Sequence, residues 1–299
     1  MIRVPAALVL CACINGCAGF QTEARPPLPA AERLELSGRG QVRVVERNAA
    51  GREALLLVHG YGASSASYRT VLPALAARFH VLAVDLPGFG GSDRREGDYS
   101  PEALADDLAR ILDAKGIDRA DVVGHSWGGS VVLAFAQRHP DRLRRLVVIS
   151  GFVYEDQLLP LMRWSRAPGL GELLFSAFYN QALGERLYLN FRDPSLVTEE
   201  VVDDVKKQSA REGSTAVALA AARGMRFGDH EAGYRNIAAD TLLLWGAEDR
   251  VALPSFGVRL SRELPHSRLR VIPNCGHIPM WECRGDTLAA LLDFLGPLP

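Results

Sequence analysis

"VVGHSWGG" (residues 122–129) is the stretch that decides how this chain folds. Two valines read as the end of a buried strand, and a helix-like run, "SVVLAFAQRH" (130–139), follows at once. Between them stands Ser126, with Gly124 two residues before it and Gly128 two residues after. Where a strand turns directly into a helix, the bend has room for backbone only, so glycine is needed where the two segments close on each other. The residue at the apex is forced into a strained backbone conformation. Its hydroxyl then stands free at the carboxyl edge of a sheet, beside a helix N-terminus that carries partial positive charge. A serine acting merely as a helix N-cap would not need a glycine on either side.

Outward from this point the chain alternates. Upstream, "ALLLVHG" (54–60) and "FHVLAVDLPG" (79–88) are continuous apolar runs, as expected of strands covered on both faces. "SYRTVLPALAARF" (67–79) lies between them and predicts a helix burying Val71, Leu72, Leu75 and Ala76. Strand, helix, strand at this spacing is a parallel crossover unit. Ser100 and Pro101 then open a second helix as N-cap and first residue, with Leu104, Leu108, Ile111 and Leu112 on one face. "ADVVGH" (120–125), "RRLVVISG" (144–151), "DTLLLWG" (240–246) and "RLRVIP" (268–273) continue the strands. A helix is expected near 258–264, and "DTLAALLDFL" (286–295) closes the chain as another. "VRVVER" (42–47) reads as an early, half-exposed strand. The expected fold is a doubly wound α/β sheet, mostly parallel. Residues 152–234 lack buried-strand runs and read as an inserted helical lid, so the core is expected in two parts, 34–151 and 235–299.

The 299 residues are 48% hydrophobic and 23% charged, a globular composition, and the net charge of −1 carries no basic face for nucleic acid. No His/Cys/Asp/Glu group has metal-ligand spacing, and the glycine-rich turns lack both G-x-G-x-x-G and a P-loop lysine, so neither metal nor other cofactor is expected. The N-terminus differs in texture. Arg3 precedes an apolar run from residue 4 to about 14, too short to span a bilayer but fitting a secretory signal. The run ends at "INGC" (14–17), which resembles the lipobox of bacterial lipoproteins; "LCAC" (10–13) is a second register. That resemblance implies cleavage before Cys17, a lipid on Cys17 and attachment to a membrane of the bacterial envelope. The alternative is a plain signal peptide on a periplasmic or secreted protein. Residues 1–17 are thus the signal and 18–33 a Pro-rich tether. Of the remaining cysteines, Cys275 and Cys283 bracket His277 and are a candidate disulfide in an oxidising compartment, with two buried thiols as the alternative.

From residue 54 to the C-terminus the chain resembles the α/β-hydrolase family. "VHGYG" (58–62) resembles its oxyanion turn and "DLPGFGGSD" (85–93) its D-x-P-G-x-G-x-S loop. "GHSWGG" (124–129) matches the nucleophile elbow, "WGAEDRVALP" (245–254) the acid loop and "NCGHIP" (274–279) the histidine loop. The family's order of nucleophile, acid and base then implies Ser126, Asp249 and His277, with Glu248 the rival acid. His59 and His125 sit inside motifs and read as structural or pocket-lining. His277 would take the Ser126 proton as the hydroxyl attacks a carbonyl, and Asp249 would orient the imidazole. The backbone N–H groups of Trp127 and, by resemblance, Tyr61 would receive the oxyanion. The lid residues Phe152, Tyr154, Leu158, Leu159, Met162, Trp164, Phe175, Phe178 and Tyr179 are expected mostly to pack the lid, with a minority lining the pocket. The expected activity is a serine hydrolase acting on a small carboxylic ester with a hydrophobic acyl or aryl group. Carbon–carbon bond hydrolysis, peptidase or acyltransferase chemistry on the same triad, and a non-catalytic binding protein, are the alternatives.

Overall fold

Aliphatic runs without polar interruption are stable only where both faces of a sheet are covered, and they form the middle of a single eight-stranded sheet. The computed structural model describes residues 30–50 and 53–296. The expected signal, Cys17 and most of the tether lie outside them. In chain order the strands are β1 (Glu32–Leu36), β2 (Gly40–Arg47), β3 (Ala54–Val58), β4 (His80–Val84), β5 (Ala120–His125), β6 (Leu143–Ile149), β7 (Thr241–Gly246) and β8 (Ser267–Ile272). Across the sheet they run β1-β2-β4-β3-β5-β6-β7-β8. The β1–β2 and β2–β4 pairs are antiparallel and the others parallel. The helices are α1 (Leu72–Ala76), α2 (Pro101–Ala114), α3 (Trp127–Arg138), α4 (Pro160–Trp164), α5 (Leu170–Leu187), α6 (Glu199–Ser209), α7 (Ser214–Gly224), α8 (Gly228–Glu231), α9 (Pro254–Glu263), α10 (Pro279–Glu282) and α11 (Arg284–Phe294).

Side chains alternate across the sheet and build one core on each face. Leu56, Val58 and Val122 join the core beneath α2 and α3, while Leu55, Leu57 and Val123 join the core beneath α1 and α11. The chain leaves β3 toward β4 on one side, and β5 returns on the other side of β3. The loops after β3 and β5 therefore part above the carboxyl edge of the sheet, where open α/β sheets place their crevice. Helix α2 follows the expectation closely. Ser100 Oγ accepts the Ala103 N–H at 3.3 Å, Leu104, Leu108, Ile111 and Leu112 are fully buried, and Gly116 ends the helix at φ +64°.

Three local expectations are corrected. The stretch 67–79 is not one helix but a 3₁₀ turn, Ser65–Tyr68, followed by the short α1. Pro73 explains the break, because its ring would strike the carbonyl four residues earlier if the helix began upstream. Strand β1 begins at Glu32, two residues inside the expected tether, and Leu34 and Leu36 face the core. Helix α9 begins at Pro254, four residues before the helix expected near 258.

Helices α4 to α8 lie between β6 and β7. Phe175, Ala218, Leu219 and Ala222 form a small core of their own within this insertion. Val217, Ala221, Met225 and Phe227 extend the main core into it. The Arg94 guanidinium, from the loop after β4, donates to Ser214 Oγ at 2.8 Å and to the Gln208 carbonyl at 3.3 Å, fastening the insertion to the sheet edge.

Candidate active site

Ser126 sits at the apex between β5 and α3 with φ +54° and ψ −123°, a conformation L-residues avoid. Its N–H donates to the Ile149 carbonyl at 2.9 Å, and its own carbonyl accepts from Gly129 at 2.8 Å and Phe152 at 2.9 Å. Those bonds fix the strain from three directions. The flanking glycines are required by contact. A Cβ on Gly124 would lie 2.3 Å from the Gly128 carbonyl oxygen, and one on Gly128 would lie 2.5 Å from that of His59.

The loops after β7 and β8 bring the other two candidates to this hydroxyl. His277 Nε2 stands 2.9 Å from Ser126 Oγ, and Nδ1 stands 2.8 Å from Asp249 Oδ2. Asp249 Oδ1 also accepts the N–H groups of Val251 at 2.9 Å and Ala252 at 2.8 Å. Burial alone would push the Asp249 carboxyl up. The facing His277 and the two backbone donors outweigh it and hold the carboxyl below its ordinary value. Glu248, the rival acid, is occupied elsewhere: its Oε2 accepts the Cys275 N–H at 2.8 Å.

The His277 backbone is held from both sides. Its N–H donates to the Asn190 carbonyl of the insertion at 2.8 Å, and its carbonyl accepts from His125 Nε2 at 2.8 Å. A carbonyl can only accept, so His125 carries its proton on Nε2. Burial, reinforced by the nearby His277, pushes the His125 imidazole down to about 3 and keeps it neutral. Cys275 and Cys283 form a disulfide with their Cα atoms 6.0 Å apart, closing the loop that bears His277.

Gly60, in the loop after β3, packs so close to the elbow that a Cβ there would lie 3.0 Å from Ser126 Cβ. His59 shapes this turn by accepting the Leu86 N–H on Nε2 at 3.0 Å and donating from Nδ1 to the Gly60 carbonyl at 2.7 Å. Tyr61 lines the same cavity as Ser126 and Trp127 follows Ser126 in the chain; the backbone N–H of neither donates to another described residue. The Tyr61 hydroxyl donates to the Ala218 carbonyl at 2.8 Å, and its ring meets those of Phe89, Trp127 and Tyr179 at angles. Tyr61 therefore both faces the cavity and packs against the insertion.

Ser126 and His277 open into a cavity of about 280 Å³. From the insertion its wall takes Leu187, Phe191, Val201 and Val205. Of the aromatics singled out from sequence, Phe152 and Tyr154 lie in the main core, Phe175 in the insertion's own core with Tyr179 packed against it, and Trp164 out in solvent; the Phe178 side chain lies outside the described residues. Arg69 and Trp281 also line the cavity, and no sequence motif had marked them. Among the described residues no group of three or more His, Cys, Asp or Glu gathers as metal ligands.

Residues 55–291 match the model of the alpha/beta hydrolase family. The chain belongs to that family. Among its relatives is a 2-hydroxy-6-oxononadienedioate/2-hydroxy-6-oxononatrienedioate hydrolase of Paraburkholderia phymatum, 33% identical over 87% of this chain and 93% of that protein. A 2-hydroxy-6-oxo-2,4-heptadienoate hydrolase of Pseudomonas putida is 33% identical over 81% of this chain and 88% of its own length. A hydrolase of Pseudomonas aeruginosa of known crystal structure superposes with a TM-score of 0.76 at 26% identity, over 89% of this chain and 98% of that one. Like its relatives, this alpha/beta hydrolase is an enzyme, and the serine-hydrolase type fits its elbow.

Proposed function

We propose that Ser126, His277 and Asp249 hydrolyse a carbon–carbon bond next to a ketone in an oxo acid. The observation that carries the chemistry is the 2.9 Å approach of His277 Nε2 to Ser126 Oγ at the cavity wall. Ser126 Oγ attacks the substrate carbonyl while Nε2 takes its proton, and Asp249 stabilises the imidazolium. The N–H groups of Tyr61 and Trp127 receive the oxyanion; losing one such donor commonly lowers the rate about 100- to 1000-fold. When the tetrahedral species collapses, His277 returns the proton to the leaving carbon. That carbon must depart as a stabilised enolate, which a conjugated oxo acid provides. Water activated by His277 then releases the acyl group from Ser126. The choice of bond is supported by the oxo-acid hydrolase activities for which the two relatives are named.

The second reading is a carboxylic ester hydrolase. It is favoured by the aliphatic wall of Leu187, Val201 and Val205, which suits an apolar acyl chain. A turnover panel separates the two. A 2-hydroxy-6-oxohepta-2,4-dienoate should be cleaved with a higher kcat/KM than 4-nitrophenyl esters of graded chain length. Efficient ester turnover with the dienoate untouched would select the esterase. A fluorophosphonate probe should label wild type and not Ser126→Ala; a folded wild type that stays unlabelled would leave only a binding role.

For the N-terminus we infer export and lipidation at Cys17, supported by the apolar run after Arg3 and the "INGC" sequence. Cys17→Ser should move the protein from the membrane to the soluble fraction, since acyl chains contribute about 0.8 kcal/mol per buried methylene. Retention of the variant in membranes would remove the proposal.

A further inference from the structure

Of the charged side chains that line the cavity and that the reaction above does not use, Arg69, Asp204 and Lys207, Arg69 is the buried one. It follows the 3₁₀ turn Ser65–Tyr68, is only 4% exposed, and shares the cavity with Ser126. Its Nε is buried with no hydrogen-bond partner. Asp204 Oδ2, on α6, stands 3.9 Å from Nη1, beyond hydrogen-bond distance, and that carboxylate is itself 40% exposed. The Trp281 ring covers one face of the guanidinium, with Cζ 4.8 Å from the ring centroid. A π face orients the cation but offers no acceptor in the plane of its N–H groups. A guanidinium withdrawn from water with Nε unmatched and only a long ion pair at Nη1 is unfavourable unless an acceptor completes it.

Gln208 lies beside the same space. Its Oε1 is buried and without a partner, while Nε2 reaches Ser64 Oγ at 3.4 Å. A half-turn of this amide exchanges the two atoms, so that Oε1 accepts the Ser64 hydroxyl and Nε2 becomes a second donor.

We propose that Arg69 is the specificity-determining residue of the cavity and binds a carboxylate of the substrate while the scissile carbonyl lies at Ser126. The planar fork of a guanidinium matches a carboxylate through two parallel bonds, and burial against Trp281 strengthens them. The inference rests on the reading of the Ser126 cavity as the substrate site, and it narrows the substrate to an acid. The related enzymes of Paraburkholderia phymatum and Pseudomonas putida are named for a dioate and a dienoate.

Mono-4-nitrophenyl glutarate and 4-nitrophenyl butyrate share a leaving group and differ in a free carboxylate. Wild type should prefer the glutarate in kcat/KM. Arg69→Met should reduce the glutarate-to-butyrate ratio roughly 10- to 100-fold, the loss of charge-assisted hydrogen bonds. Arg69→Lys, which keeps the charge but not the fork, should fall between the two. A wild type without preference, or a ratio unchanged in Arg69→Met, overturns the proposal. Binding tests it apart from chemistry. In the full-length Ser126→Ala protein, calorimetry with mono-4-nitrophenyl glutarate should show Kd rising by a similar factor when Arg69→Met is added. An unchanged Kd overturns the carboxylate site even if esters are hydrolysed. A protein inert to fluorophosphonate whose binding still depends on Arg69 would instead defeat the triad and leave the carboxylate site standing.

Discussion

At Ser126 the backbone holds a shape that costs energy, and its neighbours show what sustains it. Gly124→Ala places a methyl 2.3 Å from the Gly128 carbonyl oxygen, backbone that cannot rotate away. Overpacking of this kind destabilises by about 1–3 kcal/mol or more, read as a lower urea midpoint, and activity should fall with it. His277→Ala should lower kcat roughly 10⁴- to 10⁶-fold on a 4-nitrophenyl ester with little change in the urea midpoint. Comparable turnover in that variant would reassign the base. His125 has a consequence in acid. Folded, it titrates near 3, against an ordinary value of 6.5. Between those values the unfolded chain holds a proton that the folded chain does not, so stability rises with pH across the window and is lost as pH falls. One proton contributes up to about 1.4 kcal/mol per pH unit. His125→Asn, which can still donate to the His277 carbonyl, should flatten that slope in urea unfolding followed from pH 6.5 downward. An identical slope in the variant would assign the acid sensitivity to another group.

At the scale of elements, the loop between β8 and α11 decides how well His277 is held. The disulfide spans positions 275 to 283, and the Glu282 carboxylate accepts the Gly276 and Asp193 N–H groups across it. Closing so short a loop is worth about 2–3 kcal/mol through restriction of the unfolded chain. Cys275→Ala/Cys283→Ala should lower the urea midpoint accordingly and lower kcat more than it raises KM, because the imidazole loses its tether while the cavity wall stays. An unchanged kcat would show that the Asn190 and His125 contacts suffice. This loop was legible in sequence because its chemistry is local: two cysteines, a histidine and their spacing. Strand β1 was not, because ERLEL commits only Leu34 and Leu36 to the core and carries no strand signal of its own until β2 pairs with it, so that Glu32 and Arg33 read as tether. The break before α1 was hidden for another reason. The apolar spacing of Val71, Leu72 and Leu75 fits a helix spanning 67–79, and the short α1 buries all three without one of that length.

Across the whole molecule, the sheet order follows from runs that admit only one kind of environment, whereas the cavity wall depends on distant contacts. Nothing in the sequence joins Arg69 to Trp281, two hundred residues later, or sends Phe191 and Val205 rather than Phe152 and Tyr154 to the cavity. The same long range governs stability at the opposite edge of the sheet. Asp121 is fully buried and receives Arg144 at 2.9 Å and both Nε and Nη2 of Arg145, at 2.9 and 2.8 Å. Arg145 also donates to the carbonyls of Phe294, Leu295 and Gly296, joining the middle of the sheet to the end of α11. Asp121→Ala leaves these cations without their central partner and should cost about 3–5 kcal/mol in chemical denaturation. A loss below 1 kcal/mol would mean that Glu53 replaces it.

Strand β1 is the outermost member of the sheet, and β2, β4 and β3 separate it from β5. A pull on the N-terminal segment therefore loads the β1–β2 ladder first. That ladder can peel or fray while the strands leading to Ser126, Asp249 and His277 keep their spacing, so mechanical tugging at one end is absorbed before it reaches the cavity.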